Sequence, residues 1–318
     1  MLSNNFKLEK NIPIPKCFCF TIFQLTNGKI LTGLMDSKTL EGFINIYDSS
    51  YNFEKQLTHH KKGVICINQL KSGEIISCSD DLTIKIFDLN TYEIIETLNC
   101  LNDSKGISKI IELNNNNLVS SDWNHILFWN KNPALNKYEL YKDLNLKKFT
   151  SSLMEVNDDK IIALHGNNKL ISIFDLNNYE LLKEFDNILL PRNFYNMEKI
   201  SNDTIFIGGI GLIYIISISK LKIIKKIPCE NGFGIVSSVL LLKDNTILTS
   251  ISSQEKGNKV HLIKYKIIDN GNDVEIIERK DNIHQGFVFI MYECNDGKII
   301  MSNAISGLEI YSSGQLII

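Results

Sequence analysis

The chain has little arginine, which argues against a nucleic-acid partner, and little proline, which argues against a linker between two domains. Arg192 and Arg279 are the only arginines, and 34 basic residues against 36 acidic ones give a net charge of −2. A nucleic-acid-binding protein normally carries a basic stripe, so we expect no nucleic-acid partner. Only five prolines occur in 318 residues, so no proline-rich linker divides a chain that is long enough for two average domains.

Long apolar runs and targeting segments are also missing. The longest uncharged apolar stretch, residues 205–219, falls short of the roughly 20 residues that a membrane-spanning helix needs. Its β-branched residues flank Gly208, Gly209 and Gly211, which favours a buried hairpin. The N-terminal residues lack the apolar core of a signal peptide. We therefore expect no membrane insertion.

The cysteines show neither a CxxC pair nor the spacing of metal ligands. An odd number of them scattered through apolar runs indicates buried thiols in a reducing compartment. The seven are Cys17, Cys19, Cys66, Cys78, Cys100, Cys229 and Cys294. The sequence thus predicts a cytoplasmic protein, with the nucleus as the alternative, and no cofactor.

One pattern recurs along the whole chain: an apolar run, a short turn rich in Gly, Asp or Asn, and a second apolar run. The recurrences begin 42 to 52 residues apart, which gives seven copies. The turns are TNG after Leu25, KSG after Leu70, NNNN after Leu113, NDD after Val156, SND after Ile200, KDN after Leu242 and NDG after Cys294.

A second segment, with β-branched residues at alternate positions, follows each copy after a polar loop. Alternate residues of a strand point to opposite faces, so each segment is a strand with one apolar face. The segments are INIYD at 44–48, IKIFD at 84–88, ILFWN at 126–130, ISIFD at 171–175, IYIIS at 213–217, VHLIK at 260–264 and LEIYS at 308–312. A fourth strand comes next, because FDLNTYEIIETL at 87–98 and FDLNNYELLKEF at 174–185 match at six of their first seven positions.

A period near 44 with four short strands in each copy indicates an all-β fold, a β-propeller. A single four-stranded sheet cannot cover its own faces and must stack on its neighbours. We therefore predict a seven-bladed propeller of four-stranded antiparallel blades that occupies residues 1–318 as one domain.

The second copy resembles the WD-repeat family of propellers, and the resemblance extends over essentially the whole chain. In HHKKGVICINQLKSGEIISCSDDLTIKIFD, His60 lies four residues before Val64, and Ser77 and Asp81 follow at the family's spacing. The resemblance implies a hydrogen-bonded structural network of His60, Ser77 and Asp81, with His284 as the equivalent histidine of the seventh copy. Phe87 stands where the family has tryptophan, so the network has at most three members.

Two copies depart further from the family's pattern. Only Trp129 keeps a tryptophan at the signature position, and Asn130 follows it instead of aspartate. Met301 stands where the seventh copy should have serine. The resemblance therefore implies the fold and leaves the subfamily unidentified.

The family that the chain resembles closes its ring with a strand borrowed from the opposite terminus. Residues 5–12 resemble an outermost strand and precede the first copy, so we predict that they complete the blade built from residues 287–311. The alternative assigns that strand to residues 315–318.

Candidate partner-binding residues lie in loops that the resemblance assigns to the top face of the propeller. These loops precede the first strand of a blade or join its second and third strands. Aromatic and arginine side chains there are the usual anchors of protein interfaces, and packing between blades is the alternative reading. The candidates are Trp123, His125, Arg192, Tyr195, Phe233 and Phe287.

The sequence predicts a non-catalytic scaffold that binds other proteins or peptides on this top face and at the channel mouth. We expect a monomeric propeller within a larger complex and no metal. Two alternatives remain: a propeller hydrolase or lyase with a metal at the channel mouth, and a substrate-recruiting subunit of a ubiquitin ligase or coat complex. No GxSxG, HExxH or phosphate-binding loop supports the enzyme.

Overall fold

The structure is a computed structural model that describes residues 6–101, 103, 105–166, 170–186, 188–190, 197–229, 234–253, 259–283, 286–303 and 307–313, the side chain of Ser313 excepted. In this part of the chain the secondary structure consists of strands and one short 3₁₀ turn, Asp269–Gly271. The strands form seven four-stranded antiparallel sheets. No helix within these ranges is long and apolar enough to cross a membrane.

The chain groups into two compact units, and β1 (Phe6–Ile12) belongs to the second of them. The first unit, Lys16–Asp186, contains blades 1 to 4. Blade 1 consists of β2 (Cys17–Gln24), β3 (Ile30–Asp36), β4 (Gly42–Tyr47) and β5 (Phe53–Leu57). Blade 2 consists of β6 (Val64–Gln69), β7 (Ile75–Ser79), β8 (Thr83–Phe87) and β9 (Ile94–Asn99). Blade 3 consists of β10 (Ile107–Glu112), β11 (Leu118–Asp122), β12 (His125–Asn132) and β13 (Lys137–Asn145). Blade 4 consists of β14 (Ser152–Val156), β15 (Lys160–His165), β16 (Leu170–Asp175) and β17 (Leu181–Phe185).

The second unit, made of Met1–Pro15 and Asn187–Ile318, contains blades 5 to 7. Blade 5 consists of β18 (Met197–Lys199), β19 (Thr204–Gly208), β20 (Leu212–Ser217) and β21 (Lys222–Pro228). Blade 6 consists of β22 (Ile235–Leu241), β23 (Thr246–Ser252), β24 (Val260–Ile268) and β25 (Asp273–Lys280). Blade 7 consists of β26 (Val288–Glu293), β27 (Lys298–Asn303), β28 (Gly307–Ser313) and β1.

Burial falls from the second strand of a blade to its fourth. The second strands β7, β11 and β19 are buried at every residue, whereas β5 and β17 are mostly exposed. A strand covered on both faces favours a continuous apolar run, which is the run that precedes and follows each turn in the sequence. Apolar clusters join neighbouring blades within each unit, so each sheet covers its faces against the next one.

The repeated turns join the first and second strands, and those of blades 1, 2, 3, 6 and 7 share one backbone geometry. In blade 2 the amide of Leu70 donates to the carbonyl of Glu74 at 2.8 Å, and the amide of Gly73 donates to the carbonyl of Leu70 at 2.8 Å. The residue that closes the turn has a positive φ, a conformation that glycine and asparagine tolerate best. These residues are Gly28, Gly73, Asn116, Asn245 and Gly297. The Gly- and Asn-rich motifs of the sequence are therefore a backbone requirement.

The N-terminal strand completes blade 7. β1 pairs antiparallel with β28, with Phe6 opposite Ser313 and Ile12 opposite Leu308. This confirms the prediction that the N-terminal strand completes the last blade, while Asn5 and residues 315–318 lie outside the described residues. The chain thus has the fold of a seven-bladed β-propeller with four-stranded antiparallel blades, as the repeat predicts.

All seven cysteines are free thiols, and all except the half-buried Cys17 are buried. Cys66 and Cys78 lie opposite each other on β6 and β7. A hydrogen bond from Cys78 lowers the pKa of the Cys66 thiol, and burial raises the pKa of Cys78. Both side chains lie in the apolar cluster between blades 2 and 3, which gives them a packing role.

Candidate functional site

The top loops of the first unit are those that precede the first strand of a blade or join its second and third strands. In blade 3 the second kind consists of Trp123 and Asn124 alone. Asp122 shapes this loop, because its Oδ1 accepts hydrogen bonds from the amides of Asn124 and His125, each at 2.7 Å. The tight turn leaves the indole of Trp123 at the surface.

Trp123 is 37% exposed, and its ring packs on Phe149 from the loop before blade 4, with the ring centroids 4.6 Å apart. Lys105 lies in the loop before blade 3, and its Nζ is 5.7 Å from the centroid of the Trp123 ring. The indole is therefore a partly exposed aromatic surface supported by a second ring. This is the geometry of an interface anchor, which needs a large rigid side chain held in place before binding.

His125 lies beneath this surface and is 1% exposed. Its Nδ1 is 3.3 Å from Asp122 Oδ1, and its Nε2 is 3.5 Å from Asp103 Oδ2. The carboxylates of Asp122 and Asp103 therefore lie on opposite sides of the ring. His125 supports Trp123 from within, and its own side chain is not presented to a partner.

The remaining candidates from the sequence belong to the second unit. Phe287 is half-buried immediately before β26, in the second unit. Arg192, Tyr195, Phe233 and His284 lie outside the described residues.

Asp80 is a top-loop residue that the sequence did not single out. It lies in the loop that joins β7 to β8, and its carboxylate packs against Gly106, in the loop before blade 3. The approach is so close that a side chain at position 106 would collide with it, since an added Cβ would lie only 2.4 Å from Asp80 Oδ1. Burial raises the pKa of this carboxyl to about 6, while the Lys62 ammonium acts in the opposite direction. Within the described residues no hydrogen bond to the carboxylate offsets its burial. Strongly shifted carboxyls of this kind collect at binding sites, where function outweighs stability.

We expect Asp80→Asn to stabilise the protein at neutral pH. The raised pKa in the folded state means that the carboxyl costs stability once it ionises, from about 3.8 upwards, with the full cost above about 6. The gain should be about 3 kcal/mol at pH 7 and only about 0.5 kcal/mol at pH 4, measured by urea unfolding. Asp103→Asn, at a side chain that is 61% exposed, is the matched control and should change little. An equal gain at both pH values would contradict the electrostatic cause.

The network that the family resemblance implies for blade 2 is present in the geometry and has an additional member. His60 Nε2 lies 2.7 Å from Ser77 Oγ, and His60 Nδ1 lies 3.0 Å from Asp81 Oδ2. The hydroxyl of Thr83 donates to Asp81 Oδ1 at 2.6 Å, so four side chains take part. Sequence reasoning missed Thr83 because a threonine in a strand carries no specific signal.

Hydrogen bonds link Ser77 to His60 and His60 to Asp81, as in the catalytic triad of a hydrolase. The burial of these side chains excludes that role. Ser77 is 0% exposed and His60 is 4% exposed, so no substrate reaches the hydroxyl. Burial lowers the pKa of His60, and the neutral ring donates from Nδ1 to Asp81 and accepts from Ser77. The network ties the loop before blade 2 to β7 and β8.

Blades 3 and 4 hold different polar networks in their interiors. In blade 3 the indole of Trp129 donates to Ser120 Oγ at 2.9 Å, which is the pairing that Phe87 cannot make in blade 2. In blade 4 the fully buried His165 lies 3.0 Å from Thr150 Oγ1 through Nδ1 and 3.0 Å from Ser172 Oγ through Nε2. No motif in the sequence marks this second network.

The series of hydrogen bonds that begins at His165 ends at an ion pair between Glu184 and Lys148. Ser172 donates to Glu184 Oε2 at 3.2 Å, and the ammonium of Lys148 contacts the same carboxylate. Because the Ser172 proton is used in that bond, the neutral His165 must donate from Nε2 and accept from Thr150 at Nδ1. Burial lowers the pKa of His165 to about 4, and the nearby Lys148 acts in the same direction.

No metal site stands out in the described ranges, which contain no group of three or more His, Cys, Asp or Glu side chains that could hold an ion. The candidate site that the geometry does provide is the exposed corner around Trp123. It can bind by aromatic packing and by charge, and it offers no arrangement for covalent chemistry.

Comparisons with known proteins agree with the fold. No protein-family model matches the chain, and no curated protein matches it in sequence. Among solved structures, U3-55K aligns with a TM-score of 0.74 at 13% identity over 97% of this chain and 98% of that one. The β-propeller domain of Cps50 (Swd1) from Myceliophteria thermophila aligns with a TM-score of 0.73 at 10% identity, covering 96% and 99%. The C-terminal WD40 domain of Sif2 aligns with a TM-score of 0.70 at 10% identity, covering 96% and 84%.

This chain has the WD40 β-propeller fold. The resemblance to WD-repeat propellers in the sequence is thereby confirmed for the fold. At 10 to 13% identity the likeness between these WD40 propellers and the chain is one of architecture. What the chain binds has to be argued from its own side chains.

Proposed function

We propose that this WD40-fold protein is a non-catalytic interaction scaffold that docks partner proteins or peptides on its top loops. The observation that carries the proposal is Trp123, an indole that is 37% exposed on a two-residue loop and backed by Phe149. A preorganised aromatic anchor on stacked sheets binds with little loss of conformational entropy. The buried Ser77 and His60 are the residues closest in type to a catalytic set, and they support packing instead.

The proposal extends to the cellular setting. Seven free thiols are most stable in a reducing compartment, so we place the protein in the cytoplasm or nucleus. A scaffold acts as part of a larger assembly, in which we propose that this propeller is a single copy.

Trp123→Ala tests the proposal directly. Removing a central aromatic anchor typically costs at least 2 kcal/mol of binding free energy, so recovery of specific partners in affinity capture should fall about 30-fold. Quantitative mass spectrometry of the captured proteins measures this effect.

The matched control is Phe53→Ala, which removes a ring that is 58% exposed on β5 of the same unit but away from the top loops. It should leave recovery unchanged, and the melting temperature of both variants should confirm that they fold. Equal recovery of all specific partners by the wild type and Trp123→Ala would refute the proposed binding surface.

A further inference from the structure

Five top-loop residues around Trp123 form one continuous surface, which we call the blade-3 corner: Asp80, Asp103, Lys105, Trp123 and Phe149. Asp80 lies against Gly106, the residue that follows Lys105. Lys105 in turn lies over the Trp123 ring, and the Trp123 ring packs on Phe149. The fifth residue, Asp103, is bound to the loop that carries Trp123. The side-chain amide of Asn124 donates to the backbone carbonyl of Asp103 at 2.8 Å.

Several carboxylates lie close to one another at this corner. Asp103 has a side chain that is 61% exposed, and Asp143 is exposed on β13 nearby. Burial raises the pKa of Asp143 and the carboxylates of Asp122 and Asp103 raise it further, while His125 and Lys142 lower it. The carboxylates are therefore close enough to repel one another. Asp80 adds a partly buried negative charge, with Lys62 as its nearby cation.

The chain's own ammonium already occupies the aromatic surface. The Nζ of Lys105, on an exposed residue, lies 5.7 Å from the Trp123 centroid, within the range of a cation–π interaction. An exposed lysine on a surface loop is readily displaced, because its head group remains in water. Lys105 thus marks where an incoming cation would bind.

We propose that the blade-3 corner docks a basic segment of a partner protein. An arginine or lysine of that segment takes the place of Lys105 over Trp123, and the charges of the segment pair with Asp80 and Asp103. The inference rests on the proposed function, and it adds the chemical class of the partner. Arginine suits the site best because its planar guanidinium stacks on indole and pairs with carboxylates at the same time.

Selection of phage-displayed random peptides on the full chain, with counter-selection on Trp123→Ala, identifies the peptides that need this corner. We expect these peptides to be enriched in arginine and lysine. Their fluorescent synthetic copies should bind more weakly as salt is raised, as anisotropy would show. Asp80→Asn and Asp103→Asn should each weaken binding about tenfold, while Lys105→Ala should bind at least as well as the wild type.

Glu93→Gln, at an exposed carboxylate in the turn between β8 and β9, is the control for net charge and should bind as the wild type does. Peptides that need Trp123 but are neutral or acidic, and that tolerate both aspartate substitutions, would overturn this inference and leave the proposed function standing. If no selected peptide depends on Trp123, both the inference and the proposed binding surface are wrong.

Discussion

Deletion of residues 1–12 is expected to lower the melting temperature by about 10 °C. The deletion removes β1, the fourth strand of blade 7, and leaves one edge of β28 unpaired, while its other edge still pairs with β27. It also removes Phe6, which is 4% exposed and packs in the apolar cluster of blades 6 and 7. Burial of one phenylalanine contributes about 2 to 3 kcal/mol, and the lost strand ladder adds to it.

Two comparisons make this experiment specific. A synthetic peptide of residues 1–15 added to the truncated chain should restore most of the melting temperature, because it can pair with β28 in the native register. Deletion of residues 315–318 should change the melt little, since β1 already fills the fourth position of blade 7. An unchanged melt after the N-terminal deletion, or a larger effect of the C-terminal one, would reject ring closure by β1.

The fold could be predicted because five of the seven blades repeat the same turn between their first two strands. The turn between the first two strands needs a positive φ at its last residue, and Gly73, Asn116 and Gly297 meet that need visibly in the sequence. The apolar runs around the turn reflect strands buried on both faces. Ring closure was also accessible, because the apolar and charged pattern of residues 5–12 resembles that of a fourth strand.

The candidate site was predictable only in part. Trp123 was identifiable as a large ring in a short loop where packing did not require one. Its neighbours were not, because Phe149, Lys105 and Asp80 come from three other loops whose proximity depends on how the blades stack. A residue pattern within one copy contains no information on such contacts.

The blade 4 network shows the same limit. His165, Ser172 and Glu184 lie on three different strands of one sheet, and Thr150 comes from the loop before it. The sequence could not show that two hydroxyls bind the ring of His165. That enclosure makes the histidine a titratable group held neutral inside the protein.

His165 should make the protein acid-sensitive. Its folded pKa of about 4 lies below the ordinary value of 6.5, because burial, and to a lesser degree the Lys148 ammonium, disfavour the charged ring. The unfolded chain therefore binds the proton first. The stabilising contribution is complete above about pH 6.5, is lost as the pH falls towards 4, and declines no further below that. The shift corresponds to about 3 kcal/mol.

The variant His165→Gln isolates this contribution, because glutamine can still bond to both hydroxyls and takes up no proton. Between pH 7 and pH 4, urea unfolding should show that the wild type loses about 3 kcal/mol more than the variant. Burial also lowers the pKa of His60, so the variant keeps part of the acid sensitivity, and only the difference reports on His165. His59→Gln, at an exposed histidine, should leave the wild-type profile unchanged. If wild type and His165→Gln lose stability in parallel, His165 is already charged or hydrated in the native protein, and the neutral network described for blade 4 is wrong.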